Sequence, residues 1–171
     1  MSLASVKAEI AAKAPDIEVL EHEASTATVA EAAAVHGVPP SHIAKTLSLR
    51  VGERVLLVVV RGDARLDNRK ARGAFGGKAR MLGGDEVEAL TGHPVGGVCP
   101  FGLVAPLPVY CDVSLRAFDE VVPAAGSPRS SLRIAPERMA ALVGAEWVDV
   151  CQDVVQEPAQ EPPASIDQAA P

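Results

Sequence analysis

Residues 43–60, IAKTLSLRVGERVLLVVV, constrain the fold more than any other stretch of the chain. Thr46 to Val51 and the unbroken aliphatic run Val55 to Val60 are separated by a short break at Gly52-Glu53. Two β-favouring runs joined by so short a polar break read as a β-hairpin. A strand with no polar residue at alternate positions has no face to offer to water, so the second strand is expected to be buried on both sides. The hairpin is therefore the predicted centre of a covered sheet. The run is far shorter than the roughly 18 apolar residues of a membrane span. The N-terminal MSLASVKAEIAAK carries charges where a signal peptide needs an apolar stretch. No membrane association and a cytoplasmic location are expected.

What covers the hairpin is also legible. Val6 to Ala14 reads as a helix stopped by Pro15, and Thr28-Val-Ala-Glu31 as a capping box opening a helix that runs to His36 and ends at Gly37. Asp67 is placed to cap a helix ending at Gly76-Gly77, Glu86 to Leu90 forms another, and Pro136 sits in the first turn of a helix to Val143. Short extended pieces are expected at Ile17–Glu21, Val109–Cys111, Glu120–Val122, Leu132–Ile134 and Val148–Val150. Hairpins interspersed with helices indicate an α+β fold rather than a doubly wound sheet.

Of the 171 residues, 48% are hydrophobic, enough for one core. Residues 152–171 differ in composition. They hold Asp153, Glu157, Glu161 and Asp167 and no base, and are rich in proline, glutamine and alanine. Such a segment cannot bury enough surface to offset its ordering entropy, so the domain is expected over 1–151 and a disordered acidic tail over 152–171. The net charge of −6 argues against an anionic partner only until the tail is set aside, which leaves 18 acids against 16 bases. Within that body Arg61 to Arg80 carries seven bases and two acids. Charge alone leaves this segment either a solvated helix face or a phosphate-contacting patch.

Cys99, Cys111 and Cys151 show no CxxC spacing, and His22, His36, His42 and His93 fall at no metal-ligand spacing, so no disulfide framework, metal or cofactor is expected. GxSxG, Walker and GxGxxG motifs are absent. The loop His93-Pro-Val-Gly-Gly-Val-Cys-Pro-Phe-Gly102 suits neither helix nor strand. Cys99 within it, with His93 nearby in sequence, is a conceivable thiol nucleophile, but is read as a loop-lining residue because unpaired cysteines are commonly buried. Lys45 interrupts the apolar run at the start of the hairpin, and is either an edge residue snorkelling to water or a cation aimed into a pocket.

Lys45-Thr46-Leu47, Val60-Arg-Gly-Asp63, Asp67 with Lys70, Thr91 to Gly102, Val109 to Asp112, Gly126-Ser127 and Trp147-Val-Asp149 together resemble the YbaK/EbsC family, relatives of the editing domain inserted in bacterial prolyl-tRNA synthetases. The likeness runs in order from about Ile17 to Val150. It implies an α+β fold with a mixed, partly barrel-like sheet flanked by helices. It also implies hydrolysis of the ester between a wrong amino acid and the terminal ribose of its tRNA, by a free-standing enzyme acting in trans. Lys45 is then the principal catalytic side chain. Thr46, Gly96, Gly97, Val98, Cys99, Pro100, Gly102, Gly126 and Ser127 would line the aminoacyl pocket, with the glycine-proline loop as a wall of rigid backbone donors. Arg65, Arg69, Lys70 and Arg72 become candidate tRNA contacts. Mischarged tRNA is the implied partner, with an aminoacyl-tRNA synthetase as a further candidate. In the branch that removes cysteine from tRNA for proline, a serine stands at the position of Ala124, an acid at that of Arg133 and a serine at that of Cys99, so the sequence points to a differently tuned pocket for a small residue such as alanine or serine. The competing readings are a module that binds tRNA or a synthetase without turnover, and a cysteine-dependent hydrolase of small esters resting on Cys99 and His93.

Overall fold

A computed structural model of the chain describes residues 2–153; from residue 154 the expected tail lies outside the described residues. The hairpin is present as β2 (Ile43–Val51) and β3 (Arg54–Arg61), paired antiparallel from Ala44 with Arg61 to Val51 with Arg54. Leu56 to Val60 are completely buried. The reason is alternation: Leu57 and Val59 enter one core with Phe101, Leu115 and Met139, while Leu56, Val58 and Val60 enter a second with Ala71, Phe75 and Val150.

The covering helices follow the sequence closely. The helix α1 (Ser2–Lys13) starts earlier than expected and sends Val6 and Ile10 into the first core. The helix α2 (Val29–His36) carries the capping box, with Thr28 accepting from the Glu31 N–H, and closes at Gly37 with φ 67°. The helix α3 (Asn68–Phe75) is capped by Asp67, which accepts from the N–H groups of Arg69 and Lys70, and supplies Ala71 and Phe75 to the second core. The helix α4 (Gly84–Thr91) begins two residues before the expected Glu86, and α5 (Pro136–Val143) has the expected bounds.

The other strands are β1 (Leu20–Glu21), β4 (Ala79–Met81), β5 (Val109–Asp112), β6 (Val122–Pro123), β7 (Ser130–Ser131) and β8 (Glu146–Val148). The main sheet runs β4-β2-β3-β5-β8, with β6 also on β2, and β1 pairs separately with β7. Parallel and antiparallel pairs mix, so the fold is α+β as expected, but the sheet stays open and does not close into a barrel. The last strand lies two residues before the expected Val148–Val150, because the Val150 N–H goes to the Asp112 carboxylate and its C=O accepts from Asp67 N–H. Leu132–Ile134 does not form a regular ladder. Its bonds go to Pro123 and Val121 as isolated pairings, and the short ladder forms instead at Ser130–Ser131.

On one edge, β2 has two partners: β6 runs parallel to Ile43 and Ala44, and β4 antiparallel to Leu49–Val51. Between them the ladder is interrupted. The Ser48 C=O accepts from Leu82 N–H at 3.0 Å, which marks the edge that even-numbered residues face. Alternation along an antiparallel strand then turns the Thr46 N–H and C=O into the gap.

Candidate active site

The gap opens into a cavity of about 370 Å³. Its walls are the interrupted stretch of β2, the β6 segment Val122–Ala124, the approach to α2 from Thr26 to Thr28, the start of α4, and the loop residues Val95, Gly96 and Val98. Most of these side chains are apolar or small, and the polar ones are few: Lys45, Thr46, Ser48, Ser131 and the threonines before α2. A concave apolar pocket with a few convergent polar groups is the usual form of a small-ligand site.

Lys45 and Thr46 point to opposite faces of β2, as the period of a strand requires. Lys45 stands opposite Val60, is half-buried, and donates from Nζ to the Ala64 carbonyl at 2.7 Å. Burial pushes its pKa below the ordinary lysine value, partly offset by Cys151 and Asp63. The strand starts at Ile43, so Lys45 lies inside it rather than at its start. Thr46 Oγ1 is buried without a hydrogen-bond partner among the described residues. Such an orphan hydroxyl is costly unless a ligand or water satisfies it.

The glycine-proline loop divides. Gly96 and Val98 line the cavity, while Gly97 lies behind them. A Cβ on Gly97 would come within 2.6 Å of Ser127 N, and its C=O accepts from Gly126 N–H at 3.0 Å, so Gly97 and Gly126 lock two loops together. Ser127 sits in the turn beyond, bonded to Ser130. Pro100 and Gly102 line a different depression, and the Gly102 N–H is held by Glu9 of α1. The expected wall is thus two residues wide at the cavity, and the remaining glycines secure it by close backbone packing.

Cys99 does not line the cavity. It is wholly buried, with its thiol 3.5 Å from His93 Nε2, and burial pushes its pKa up to about 12. His93 is equally buried, donates from Nε2 to the Phe101 carbonyl, and is pushed below its ordinary value by burial. A neutral imidazole committed to a carbonyl cannot generate a thiolate. The Cys99–His93 hydrolase loses its physical basis.

Of the basic residues, Arg65, Arg69 and Arg72 are exposed and form no ion pair among the described residues. Lys70 is different. Its Nζ is bound to Asp149 at 3.1 Å, Asp153 at 3.2 Å and the Cys151 carbonyl at 2.9 Å, which raises its pKa and ties α3 to the end of the domain. The exposed Lys78 and Arg80 continue the basic run from α3 to Met81 on the cavity rim.

The sequence reading missed Ser131. Its hydroxyl lies 2.8 Å from His22 Nε2 and 2.6 Å from His36 Nε2, and the residue lines the cavity. No spacing announces three residues so far apart in the chain.

Among known proteins, the chain matches the family model "Aminoacyl-tRNA editing domain" over residues 23–142. It is 47% identical to "Uncharacterized protein YwhH" of Bacillus subtilis, across 90% of this chain and 99% of that one. It is 29% identical to the "Putative Cys-tRNA(Pro)/Cys-tRNA(Cys) deacylase EbsC" of Enterococcus faecalis, across 76% and 79%. The solved structure of "a putative trans-editing enzyme for prolyl tRNA synthetase" superposes with a TM-score of 0.82 at 36% identity, covering 89% of this chain and 98% of the other.

Proposed function

The chain belongs to the aminoacyl-tRNA editing domain family, and from that premise we propose that it is a trans-acting aminoacyl-tRNA deacylase that hydrolyses the ester of a mischarged small amino acid. The observation that carries this reading is the cavity at the interrupted edge of β2. Lys45, the orphan Thr46 hydroxyl and the backbone edge of Thr46 all line it. About 370 Å³ suits a small aminoacyl group with its ribose.

An aminoacyl ester is already activated, so no protein nucleophile is required. A water adds to the ester carbonyl, negative charge develops on its oxygen, and collapse expels the ribose oxygen, which takes up a proton. Fixed donors aimed at that oxygen lower the barrier most effectively where water is excluded. The Thr46 N–H is such a donor, and Lys45, once its ammonium swings from the Ala64 carbonyl, supplies a cation for the oxyanion or for the phosphate next to the ribose. The neighbouring ribose hydroxyl assists as proton carrier. Gly96 and Val98 act as wall. Gly97, Gly126, Ser127, Cys99, Pro100 and Gly102 serve by holding that wall in place.

In this reading the tRNA body runs along Arg65, Arg69, Arg72, Lys78 and Arg80, with Lys70 acting structurally. Residues 1–151 constitute the editing domain and 152–171 an acidic tail, and the protein works in the cytoplasm. Among the described residues no helix is long and apolar enough to cross a membrane. The test is loss of ester from tRNA charged with alanine, serine or cysteine in the presence of wild type, Lys45→Ala and Cys99→Ala. Hydrolysis by wild type and Cys99→Ala but not Lys45→Ala is expected. Tight tRNA binding with no turnover of any ester would instead identify a binding module.

A further inference from the structure

One polar group lies at the apolar end of the cavity and is not used by the hydrolysis described above. Ser131 is 1% exposed and is bridged to Ala124, so the two side chains leave the same face, and both line the cavity near Ile43 and Val122. Its Oγ is clamped between His22 Nε2 at 2.8 Å and His36 Nε2 at 2.6 Å, and the two rings meet edge to face with centroids 5.1 Å apart.

A hydroxyl has one proton to give and two lone pairs, and a neutral imidazole nitrogen either donates or accepts. Two arrangements satisfy both contacts: one imidazole accepts the Ser131 proton while the other donates into Oγ, or both imidazoles donate into its two lone pairs. Burial, Arg133 and His22 all push the His36 pKa below its ordinary value, which favours a neutral His36 in either. Ser131 keeps one hydrogen-bonding position in both, a lone pair in the first and its proton in the second. We infer that Ser131, oriented by His22 and His36, is a polar subsite in the acyl pocket that selects a small substrate side chain carrying a hydroxyl, which can donate or accept, over an apolar side chain of similar size. This rests on the deacylase reading above and names its substrate class.

The substrate's α-ammonium is the competing occupant of that position. Two imidazoles hold Ser131, the Arg133 guanidinium lies on the His36 carbonyl with Glu120 as its ion-pair partner, and the adjoining cavity wall is aliphatic. A full positive charge is poorly placed there, whereas a neutral hydroxyl is not. A pocket that leaves its own polar group unpaired rejects the ligand lacking the matching group, so an alanyl ester is disfavoured against a seryl one.

The experiment compares one tRNA charged with serine and with alanine, using wild type, Ser131→Ala and Ser131→Cys, the last preserving side-chain size and serving if the alanine variant fails to fold. Wild type is expected to favour the seryl ester by about tenfold in kcat/KM, the net worth of one hydrogen bond. Both variants are expected to bring that ratio close to one, by losing seryl activity and, in Ser131→Ala, by gaining alanyl activity as the unpaired hydroxyl is removed. An unchanged ratio, or an equal loss on both esters, overturns the subsite. Binding of the hydrolysis-resistant seryl and alanyl amides of 3′-amino-3′-deoxyadenosine, measured by calorimetry, separates this from the broader reading. If wild type hydrolyses neither ester yet prefers the seryl amide in a Ser131-dependent way, the deacylase reading fails and the subsite stands. If the two amides bind alike, the subsite fails.

Discussion

Replacing Lys45 with methionine separates charge from packing. The lysine stem lies in the sheet opposite Val60 beside Leu47, and methionine keeps an unbranched chain of similar reach there. What is lost is the ammonium and its 2.7 Å bond to the Ala64 carbonyl. A hydrogen bond to a charged group is worth about 1.5–3 kcal/mol, but removing a half-buried cation also removes its desolvation cost. The two oppose each other, so Lys45→Met is expected to lose no more than about 2 kcal/mol of stability. Catalysis has no such offset. Loss of one preorganised contact to developing charge lowers the rate at least about a hundredfold, equivalent to about 2.7 kcal/mol in the barrier. The assay is single-turnover loss of ester from mischarged tRNA, beside urea unfolding of the same preparations. A normally folded Lys45→Met protein retaining a fifth or more of wild-type kcat/KM would refute the assignment.

Gly97→Ala is expected to destabilise the fold by about 1–3 kcal/mol, visible as a lowered thermal midpoint, because its Cβ meets Ser127 backbone at 2.6 Å; an unchanged midpoint would mean the two loops separate freely. Cys99, with its pKa pushed up to about 12 in a fully buried site, is expected to resist iodoacetamide at pH 8 in the native protein, and mass spectrometry of the digest checks this. Arg69→Gln with Arg72→Gln is expected to weaken tRNA binding and reduce the log–log salt slope by up to about two, whereas Lys70→Gln should lower stability with little change in slope, because its ammonium is already bound to Asp149, Asp153 and the Cys151 carbonyl. His36 and His93 have folded pKa values below their ordinary 6.5, so the unfolded chain takes up protons first. Stability is therefore expected to hold above pH 6.5 and to fall as the pH drops from there towards the folded values, by at most about 1.4 kcal/mol per pH unit for each histidine. Urea midpoints at pH 7.5, 6 and 5 read it directly, and a flat profile would contradict both shifts.

The elements legible in the sequence are those fixed by local chemistry. Thr28 and Glu31 cap each other three residues apart, Asp67 caps with its own side chain, and Pro136 needs only its ring to start a helix. The aliphatic run of β3 announced burial on both faces because no residue in it could face water. The short strand β4 carried no such signal, since Arg80 and Met81 are exposed and its pairing depends on β2 presenting Leu49 to Val51. Val150 looks like strand but is claimed by the Asp112 carboxylate, a partner 38 residues away. Propensity describes what a segment tolerates, and partners decide what it becomes.

The same division separates the site residues. Lys45 stood out because a cation within an apolar run needs an explanation, and Gly96 to Gly102 because so many glycines and prolines together must be shaping backbone. Local sequence could not tell which of those glycines face a cavity, because that depends on where Ser127 and Ala27 approach from elsewhere. Nor could it reveal the interruption in β2, which exists only because β6 covers Ile43 and Ala44 and β4 starts again at Leu49. That interruption gives Thr46 its unpaired backbone, and the walls around it bring Ser131 within reach of His22 and His36 from two separate elements. A strand that is regular in its own sequence thus becomes a site through what its neighbours fail to cover. On the proposed reading, exchanging a wall residue such as Ala124 or Ser131 would reshape the pocket while Lys45 and the hairpin stay as they are.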